Sequence, residues 1–338
     1  MSPRTVELAP EHARGVSVFP AATAMVWPGA GASTAVAVPG VRLAPGDVLV
    51  RVELSTVCPI DVRMAQGGES AAPPLVLGHE AVGVIEAFGE GGARSSAGKK
   101  LSLGQRVVWA REVPCRHCAQ CRRGDPGACV AAVRYGHERM RRGFELSGVF
   151  ASHIHLRAGT AIVPVPRDAP AAVLAPANCT GALAIAALEA TAETGPIAGA
   201  ILVVDGADLL ALTALAMAKD AGATVIARST DAEARVRALN WGADAAAVPG
   251  AHPDSPLSLE WAIRGLARRS ADHRVLALDE HGHALPRHLE LAAGYLADSW
   301  HRHPFGAVVA EPLPLAQVDR AVALAATPDA PLRVAVTP

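Results

Sequence analysis

The sequence predicts an α/β fold with two parts, a barrel-like β-domain and a smaller domain built on a parallel sheet. Three observations predict this organisation. Residues 21–110 contain short alternating segments broken by glycine and proline, which is typical of β-strands. After about residue 168, strand-like and helical segments alternate, as the crossover connections of a parallel sheet require. The 338 residues are enough for two such domains.

The β-rich part is predicted from the alternation of apolar and polar positions. Many short strands with turn residues between them favour a barrel-like domain. The predicted strands cover 47–53, 80–86, 104–109, 148–155 and 161–165.

The second part is predicted from buried-type strands that alternate with helices. A proline-rich loop at 249–256 separates its third strand from the next helix. The strands predicted from residue 168 to the end of the chain cover 201–205, 224–227, 244–248, 274–278, 307–310 and 332–336. The predicted helices cover 177–192, 209–221, 231–241, 259–269, 286–300 and 315–326.

Composition and charge exclude several classes of protein. The chain is 51% hydrophobic with 4% aromatic residues and a net charge of −1, so no electrostatic field favours nucleic acid or an anionic membrane. No charge-free apolar run approaches the length of a membrane span, and residues 1–20 carry charges where a signal peptide needs an apolar core. Cysteines that serve as metal ligands must stay reduced, so we expect a cytoplasmic protein.

Four of the six cysteines lie within one short run. Their spacing is Cys-x2-Cys-x2-Cys-x7-Cys, at Cys115, Cys118, Cys121 and Cys129. Four thiolates this close together can complete a tetrahedral zinc shell without another ligand, which predicts a closed structural site. A reactive or disulfide-bonded cluster is the alternative, and a reduced compartment disfavours it.

The other two cysteines, Cys58 and Cys179, are far apart in the sequence, and a Gly-His-Glu motif at 78–80 lies between them. A catalytic metal takes its ligands from separate elements so that one coordination position stays open, and this distribution predicts such a site. The alternative for each cysteine is a small buried hydrophobe, which is the more common role of a lone cysteine.

Together these motifs resemble those of the zinc-dependent medium-chain alcohol dehydrogenases (the MDR family). The resemblance covers the chain from about residue 21 onward, and it rests on Cys58-x-x-Asp61, Gly78-His79-Glu80, the four-cysteine run and a strand–turn–helix at 201–221. Within the family, the motifs most similar to the branch associated with phosphonate catabolism lie at 134–138, 175–179, 286–289 and 304–305.

The resemblance implies a GroES-like β-barrel catalytic domain and a Rossmann-like domain, with the active site in the cleft between them. After an N-terminal extension at 1–20, the catalytic domain would comprise 21–165 and 290–338 and would carry the cysteine lobe at 115–129. A reduced Rossmann-like domain would occupy 166–289. Relatives often dimerise through the Rossmann sheet, so a homodimer is a candidate assembly.

The resemblance also implies two zinc ions per chain. Cys58, His79 and Cys179 would bind the catalytic zinc, with Glu80 beside the metal and able to exchange with water as a ligand. Asp61 would orient the imidazole of His79. The structural zinc would be held by Cys115, Cys118, Cys121 and Cys129.

The dinucleotide-binding turn departs from the family pattern. Ordinary members bind NAD(P) through Gly-x-Gly-x-x-Gly, and the matching stretch here is Gly206-Ala-Asp208-Leu-Leu-Ala211. Asp208 puts a carboxylate where the pyrophosphate would lie, and two unit charges ~4 Å apart repel by roughly 4 kcal/mol at an effective dielectric near 20. The alternative role of Asp208 is to cap the following helix. The sequence therefore predicts a degenerate NAD(P) site.

Two arginines remain as candidates for contacts to a nucleotide. Arg228 follows the second Rossmann strand, where it would suit the 2′-phosphate of NADP or simply be exposed. Arg333 occupies a position where the family often places a pyrophosphate-binding cation, although it can instead be a relic or bind another anion. Compared with the family, the section with the fourth and fifth strands is missing after residue 248, unless 274–278 is one of them.

The ordinary proton relay of the family is also absent, because Ile60 and Arg63 occupy its positions. The departures favour a non-redox zinc enzyme (a lyase, isomerase, hydratase or cyclase), in which zinc acts as a Lewis acid on a small polar substrate. Glu80, His137 or His155 would move the proton, and Arg63 with the arginines at 139–142 would bind a phosphonate or carboxylate. The alternatives are an NAD(P)-dependent alcohol dehydrogenase or aldehyde reductase, and a non-catalytic zinc scaffold.

Overall fold

The computed structural model describes residues 13–68, 72–266, 273–279 and 282–338. The described chain begins with two long antiparallel strands, β1 (Arg14–Trp27) and β2 (Thr34–Leu43), and β4 (Leu75–Val76) pairs with the end of β1. β1 therefore begins inside the segment predicted as an N-terminal extension, because Val16 and Val18 already pack against the core.

A larger, mainly antiparallel sheet forms the centre of the catalytic part. Its central strand β3 (Val48–Val57) is rich in valine and leucine and is buried along most of its length. The other strands are β5 (Glu80–Phe88), β6 (Arg106–Trp109), β9 (His153–Leu156), β10 (Ile162–Pro164), β15 (Leu313–Pro314) and β16 (Val334–Thr337). Their order is β10-β6-β5-β3-β16-β15, with β9 also paired to β3, so residues near 335 lie beside residues near 56.

Two small elements lead from this sheet toward the cysteines. The short helix α1 (Pro59–Ala65) follows β3, and Pro59 suits its first position because the missing N–H has no helical partner there. The four-cysteine lobe is flanked by the hairpin of β7 (Glu112–Val113) and β8 (Val133–Arg134). Within the lobe, a single helical turn α2 (Ala119–Arg122) begins after Cys118.

A bent pair of helices connects the two halves of the molecule. It consists of α3 (Ala171–Leu174), a 3-10 turn at Ala175–Asn178, and α4 (Thr180–Ala192). Of the helices in the described ranges, none is by itself both long and apolar enough to cross a bilayer, although this bent pair passes the same test on length and composition alone.

The second half contains a parallel sheet of four strands among the described residues, in the order β13-β12-β11-β14. The strands are β11 (Ile201–Asp205), β12 (Thr224–Arg228), β13 (Ala245–Ala247) and β14 (His273–Val275). The connecting helices are α5 (Leu209–Asp220), α6 (Ala232–Asn240) and α7 (Leu259–Leu266). β14 takes the fourth place in this sheet, beside β11, so the predicted strand at 274–278 exists in shortened form.

The last part of the chain returns to the first sheet. α8 (Pro286–Ser299) packs against α4, and α9 (Val318–Ala325) packs against β16. The strand predicted at 307–310 is wrong: a 3-10 turn at Pro304–Ala307 stands there instead, followed by an isolated bridge from Val309. Phe305 and Val308 are both buried, and their spacing of three suits a helical turn rather than an alternating strand.

Candidate metal centre

Four side chains from three separate parts of the fold converge on one buried point. Their possible ligand atoms lie within 4.8 Å of one another, and all four residues, Cys58, His79, Glu80 and Cys179, are buried. Cys58 precedes α1, His79 and Glu80 lie at the start of β5, and Cys179 lies between the 3-10 turn and α4. The structure thus brings together the ligands that the sequence predicts for a catalytic zinc.

Two glycines make this convergence possible. Gly78 has φ +90°, and a Cβ there would lie 2.8 Å from the ring of Phe150, so only glycine fits directly before His79. Gly136 has φ +81°, and a Cβ there would lie 2.5 Å from the carbonyl oxygen of Gly78. The backbone that carries His79 and the backbone that carries His137 are therefore in direct contact.

Asp61 connects Cys58 to His79. Its Oδ2 accepts a hydrogen bond of 2.8 Å from the backbone N–H of Cys58, and its Oδ1 lies 3.4 Å from Nδ1 of His79. His79 Nε2 is buried and has no hydrogen-bond partner in the described parts of the chain. An unpartnered buried imidazole nitrogen is costly unless it binds something, and a metal ion suits it. This is the arrangement predicted for Asp61.

The buried donors also compete for protons. Burial lowers the pKa of His79, but the attraction of Asp61 outweighs it and raises this pKa to about 10. The hydrogen bond from Cys58 lowers the pKa of Cys179 to about 5, although burial opposes that change. The same hydrogen bond and burial raise the pKa of Cys58. Two thiols and an imidazole that share protons in a buried site form a donor set that fits zinc, which displaces those protons on binding.

Glu80 is held by a buried arginine. Arg333 donates from Nε to Oε2 of Glu80 at 2.8 Å and from Nη2 to Oε1 at 3.1 Å, and the hydroxyls of Thr56 and Thr180 donate to the same carboxylate at 2.7 and 3.2 Å. Burial raises the pKa of Glu80, but the charge of Arg333 lowers it below the ordinary value. Glu80 is therefore a fixed carboxylate, which argues against its predicted acid–base role. Arg333, a predicted candidate for a nucleotide contact, thus has Glu80 as its anionic partner in this structure.

His137 lies against the cluster. Its ring centroid is 5.8 Å from that of His79, and its Nδ1 lies 3.1 Å from the carbonyl oxygen of Tyr135. A carbonyl can only accept, so neutral His137 carries its proton on Nδ1 and leaves Nε2 as an acceptor. Burial and then the charge of His79 lower the pKa of His137, with a smaller contribution from Arg111. A neutral imidazole with a free lone pair is suited to accept a proton.

The structure gives several of the other predicted residues different surroundings. His155 is wrong as a site residue: it lies on β9 and its Nε2 is 2.7 Å from Oδ2 of Asp47, in a buried pair within the barrel. The sequence alone could not predict on which face of the sheet the side chain of His155 lies, because the alternation of residues along a strand is compatible with either face. Arg63 is half-buried in the last turn of α1. Of the 139–142 group, Arg139 donates to the carbonyl of Pro73 and Arg141 lies over the ring of Phe144.

The four-cysteine lobe forms a second cluster. The sulfur atoms of Cys115, Cys118, Cys121 and Cys129 lie within 4.8 Å of one another. All six cysteines are free, so the disulfide alternative does not hold. Backbone N–H groups donate to the sulfurs, for example from Cys115 to Cys129 at 3.2 Å and from Cys118 to Cys115 at 3.3 Å. The donation from the Cys121 backbone is the largest cause that lowers the pKa of Cys118, to about 6, which favours a thiolate.

The turn that would face a dinucleotide is internally satisfied. Gly206 has φ +85°, as the tight turn requires, and Asp208 caps α5 by accepting a hydrogen bond of 2.8 Å from the backbone N–H of Ala211. This is the alternative role predicted for Asp208. Arg228 donates to both oxygens of Asp205 at 2.6 and 2.7 Å, so its guanidinium is paired across neighbouring strands and is not directed at a 2′-phosphate.

Sequence reasoning missed Arg111. It lies just after β6, and its Nη1 approaches Sγ of Cys179 to 3.9 Å while its Nη2 donates to the carbonyl of Gly282. The available signal was its position, because Arg111 precedes the cysteine lobe by only a few residues and follows a buried strand. Arginine is otherwise so common on surfaces that its presence alone indicates nothing.

Comparison with known proteins defines the class of this chain. The sequence profile of the alcohol dehydrogenase GroES-like domain matches residues 44–167. Geraniol dehydrogenase from Castellaniella defragrans is 30% identical over 272 residues, which cover 75% of this chain and 70% of that protein. The chain therefore belongs to the zinc-dependent medium-chain alcohol dehydrogenase family, as predicted.

Other matches are partial or show the fold alone. 5-exo-Hydroxycamphor dehydrogenase from Pseudomonas putida is 31% identical over 182 residues, so the match spans 53% of this chain and only 48% of that relative. An alcohol dehydrogenase from Thermotoga maritima superposes with a TM-score of 0.78 at 22% identity, covering 94% of this chain and 99% of that one. Acetophenone reductase from Geotrichum candidum, in complex with NAD, superposes with a TM-score of 0.68 at 20% identity. The superposition covers 94% of this chain and 97% of the reductase chain. The predicted fold class, a GroES-like domain with a Rossmann-like parallel sheet, is confirmed.

Proposed function

We propose that this chain is a non-redox zinc enzyme on an alcohol dehydrogenase scaffold, acting on a small polar substrate by lyase, isomerase, hydratase or cyclase chemistry. The observation that carries the proposal is Asp208, whose carboxylate caps the first turn of α5 where the family binds pyrophosphate. A carboxylate there would repel a phosphate by roughly 4 kcal/mol at ~4 Å, about a thousandfold in affinity. The backbone N–H that it occupies is also one that a phosphate would need.

Two of the cations that could offset this repulsion have carboxylate partners. Arg228 is paired with Asp205, and Arg333 is buried against Glu80. Moving Arg333 toward a nucleotide would leave Glu80 as an unpaired buried charge, which costs several kcal/mol, roughly 3–5 by analogy with broken buried pairs. The described residues thus offer a metal site with its ligands assembled, whereas at the nucleotide turn the guanidinium of Arg237 donates to the carbonyl of Ala207 at 3.3 Å and could offset part of the charge of Asp208.

The proposed centre uses the residues that converge at the start of β5. Cys58, His79 and Cys179 would hold one zinc, with Glu80 beside it, and the four cysteines of the lobe would hold a structural second one. A zinc ion in the first site would act as a Lewis acid on a substrate oxygen. Asp61 would keep the His79 imidazole in its binding orientation, and Nε2 of His137 would accept the proton that the substrate loses.

The second candidate is an NAD(P)-dependent alcohol dehydrogenase. It is favoured by Gly206, which retains the positive φ of a dinucleotide-binding turn, and by the strand order of the parallel sheet. Relatives of the chain are named as dehydrogenases, which supports the same candidate. Here hydride would pass between nicotinamide and substrate while the same metal ligands oriented the oxygen.

Calorimetric titration of the zinc-loaded protein with NADH and NADPH separates the two candidates. The non-redox proposal expects no saturable binding at concentrations up to about 1 mM, corresponding to less than about 4 kcal/mol of binding free energy. Dissociation constants in the micromolar range would establish the dehydrogenase candidate instead. D208S keeps a capping oxygen but removes the charge, so comparing it with the wild type shows whether the charge itself blocks the nucleotide.

A further inference from the structure

Arg111 is a cation beside the metal cluster to which the proposed reaction has so far given no role. Its Nη1 lies 3.9 Å from Sγ of Cys179, one of the four clustered side chains. The residue as a whole is only partly buried, and its guanidinium reaches the cluster through Nη1. Its charge contributes to the lowered pKa of His137, whose ring centroid lies 5.8 Å from that of His79.

The guanidinium is held in place but is not saturated. Its Nη2 donates to the carbonyl of Gly282, and the backbone carbonyl of Arg111 accepts from Tyr135 at 2.9 Å. A guanidinium has five N–H donors, and among the described residues only one on Nη1 and one on Nη2 are engaged. The remaining donors can bind the two oxygens of a carboxylate or phosphonate in the bidentate geometry that arginine favours.

Arg111 differs from the other charged residues at this site in its ion-pair partners. Asp61 is paired with His79 and Glu80 with Arg333, whereas no carboxylate in the described parts of the chain lies within ion-pair distance of Arg111. The nearest cluster atom to its guanidinium is Sγ of Cys179, which would bind the metal. With the metal bound, no carboxylate among the described residues would neutralise the positive charge of Arg111.

We propose that Arg111 determines substrate class by binding the anionic group of a small carboxylate or phosphonate. Another oxygen atom of the same substrate would reach the metal. The assignment rests on the proposed function for the metal centre but not on whether the reaction is redox. The arginines at 139–142 that the sequence suggested for this role do not reach the cluster; two of them contact Pro73 and Phe144 instead. Arg111 is thus a specificity-determining residue, and His137 packs against His79 in the same cluster.

The test is calorimetric titration of the zinc-loaded protein with three small probes that bind metal sites: acetate, methylphosphonate and neutral imidazole. R111Q removes the positive charge. R111K keeps the charge but lacks the paired N–H donors of a guanidinium group. R134Q is the matched control. Arg134 is on the same lobe, is 52% exposed and is paired with Glu112. R111Q is expected to weaken acetate and methylphosphonate roughly ten- to a hundredfold, as for a charged hydrogen bond. R111K should recover part of this loss, and R134Q should change nothing beyond about twofold.

Imidazole distinguishes recognition from damage to the site. It coordinates metal without charge, so its affinity should stay within about twofold in R111Q, with unchanged zinc content. Unchanged anion affinity in R111Q would overturn the proposal, and so would an equal loss of imidazole and anion binding, which would mean that Arg111 only supports Cys179. Binding of NADH would end the non-redox proposal and leave this comparison intact.

Discussion

The metal cluster and the turn before α5 differ in whether their polar side chains have bonding partners within the protein. At the cluster, polar side chains beside β3, β5 and α4 converge on one point, and His79 Nε2 has no hydrogen-bond partner among the described residues. At the turn, Asp208 accepts a hydrogen bond from its own helix, while Arg228 and Asp205 neutralise each other as an ion pair. A buried polar atom without a hydrogen-bond partner indicates that a ligand binds there. Polar atoms that are already hydrogen-bonded within the protein need no ligand. The cluster thus fits a metal ion, whereas the polar groups of the turn are bonded within the protein.

Loss of a metal ligand is expected to have the largest effect. H79A should reduce the zinc content from two ions per chain to one, because the remaining thiols no longer complete the first cluster. Native mass spectrometry of the purified variant measures this directly. H155A is the matched control, since it removes another buried histidine that pairs with Asp47 and should keep both metals.

C115A should release the other zinc and unfold the lobe while the first cluster keeps its metal. A variant H79A that still bound two zinc ions would show that the convergent side chains do not form a metal site, and the contrast between cluster and turn would lose its basis.

The buried ion pair Glu80–Arg333 and the more exposed pair Asp205–Arg228 should contribute differently to the free energy of unfolding. R333M leaves Glu80, which is 0% exposed, without its counter-charge and should lower the free energy of unfolding by about 3–5 kcal/mol. R228M breaks a pair whose members are 27% and 52% exposed, and it should cost no more than about 1 kcal/mol. Urea denaturation followed by circular dichroism measures both variants.

The double variant E80Q/R333M should recover part of the stability lost in R333M, because no unpaired charge then remains buried. Equal losses in R333M and R228M would contradict the distinction drawn between the two regions.

The smallest effect is expected at the helix cap. D208A should lower the free energy of unfolding by about 1 kcal/mol, because the backbone N–H of Ala211 loses its acceptor. D208N keeps a capping oxygen and should stay within about 0.5 kcal/mol of the wild type. Thermal denaturation of the three proteins at one pH measures the difference. An unchanged or raised stability in D208A would show that Asp208 is present for a reason other than capping.

Sequence reasoning worked best where a short segment carried the whole signal. The spacing of Cys115 to Cys129 and the Gly-His-Glu motif were enough to predict clusters that the structure then assembled. Asp208 could be assigned its capping role because capping is a local property of the residues at a helix start.

The rest depended on contacts between distant residues. His155 alternates correctly on a strand, yet only the packing of β9 on β3 shows that it faces Asp47. The pair Glu80–Arg333 spans 253 positions, and Arg111 reaches Cys179 across 68. No pattern within a short window records such contacts, so the partners of these arginines could not be predicted from the sequence.

The contact between Gly78 and Gly136 also limits how this enzyme can be changed. A methyl group on Gly136 would press on the carbonyl of Gly78, and one on Gly78 would press on Phe150. The clash at Gly136 is with backbone atoms, so no side-chain substitution elsewhere can relieve it. Libraries intended to retarget the protein should leave both glycines fixed and vary the side chains around the metal cluster.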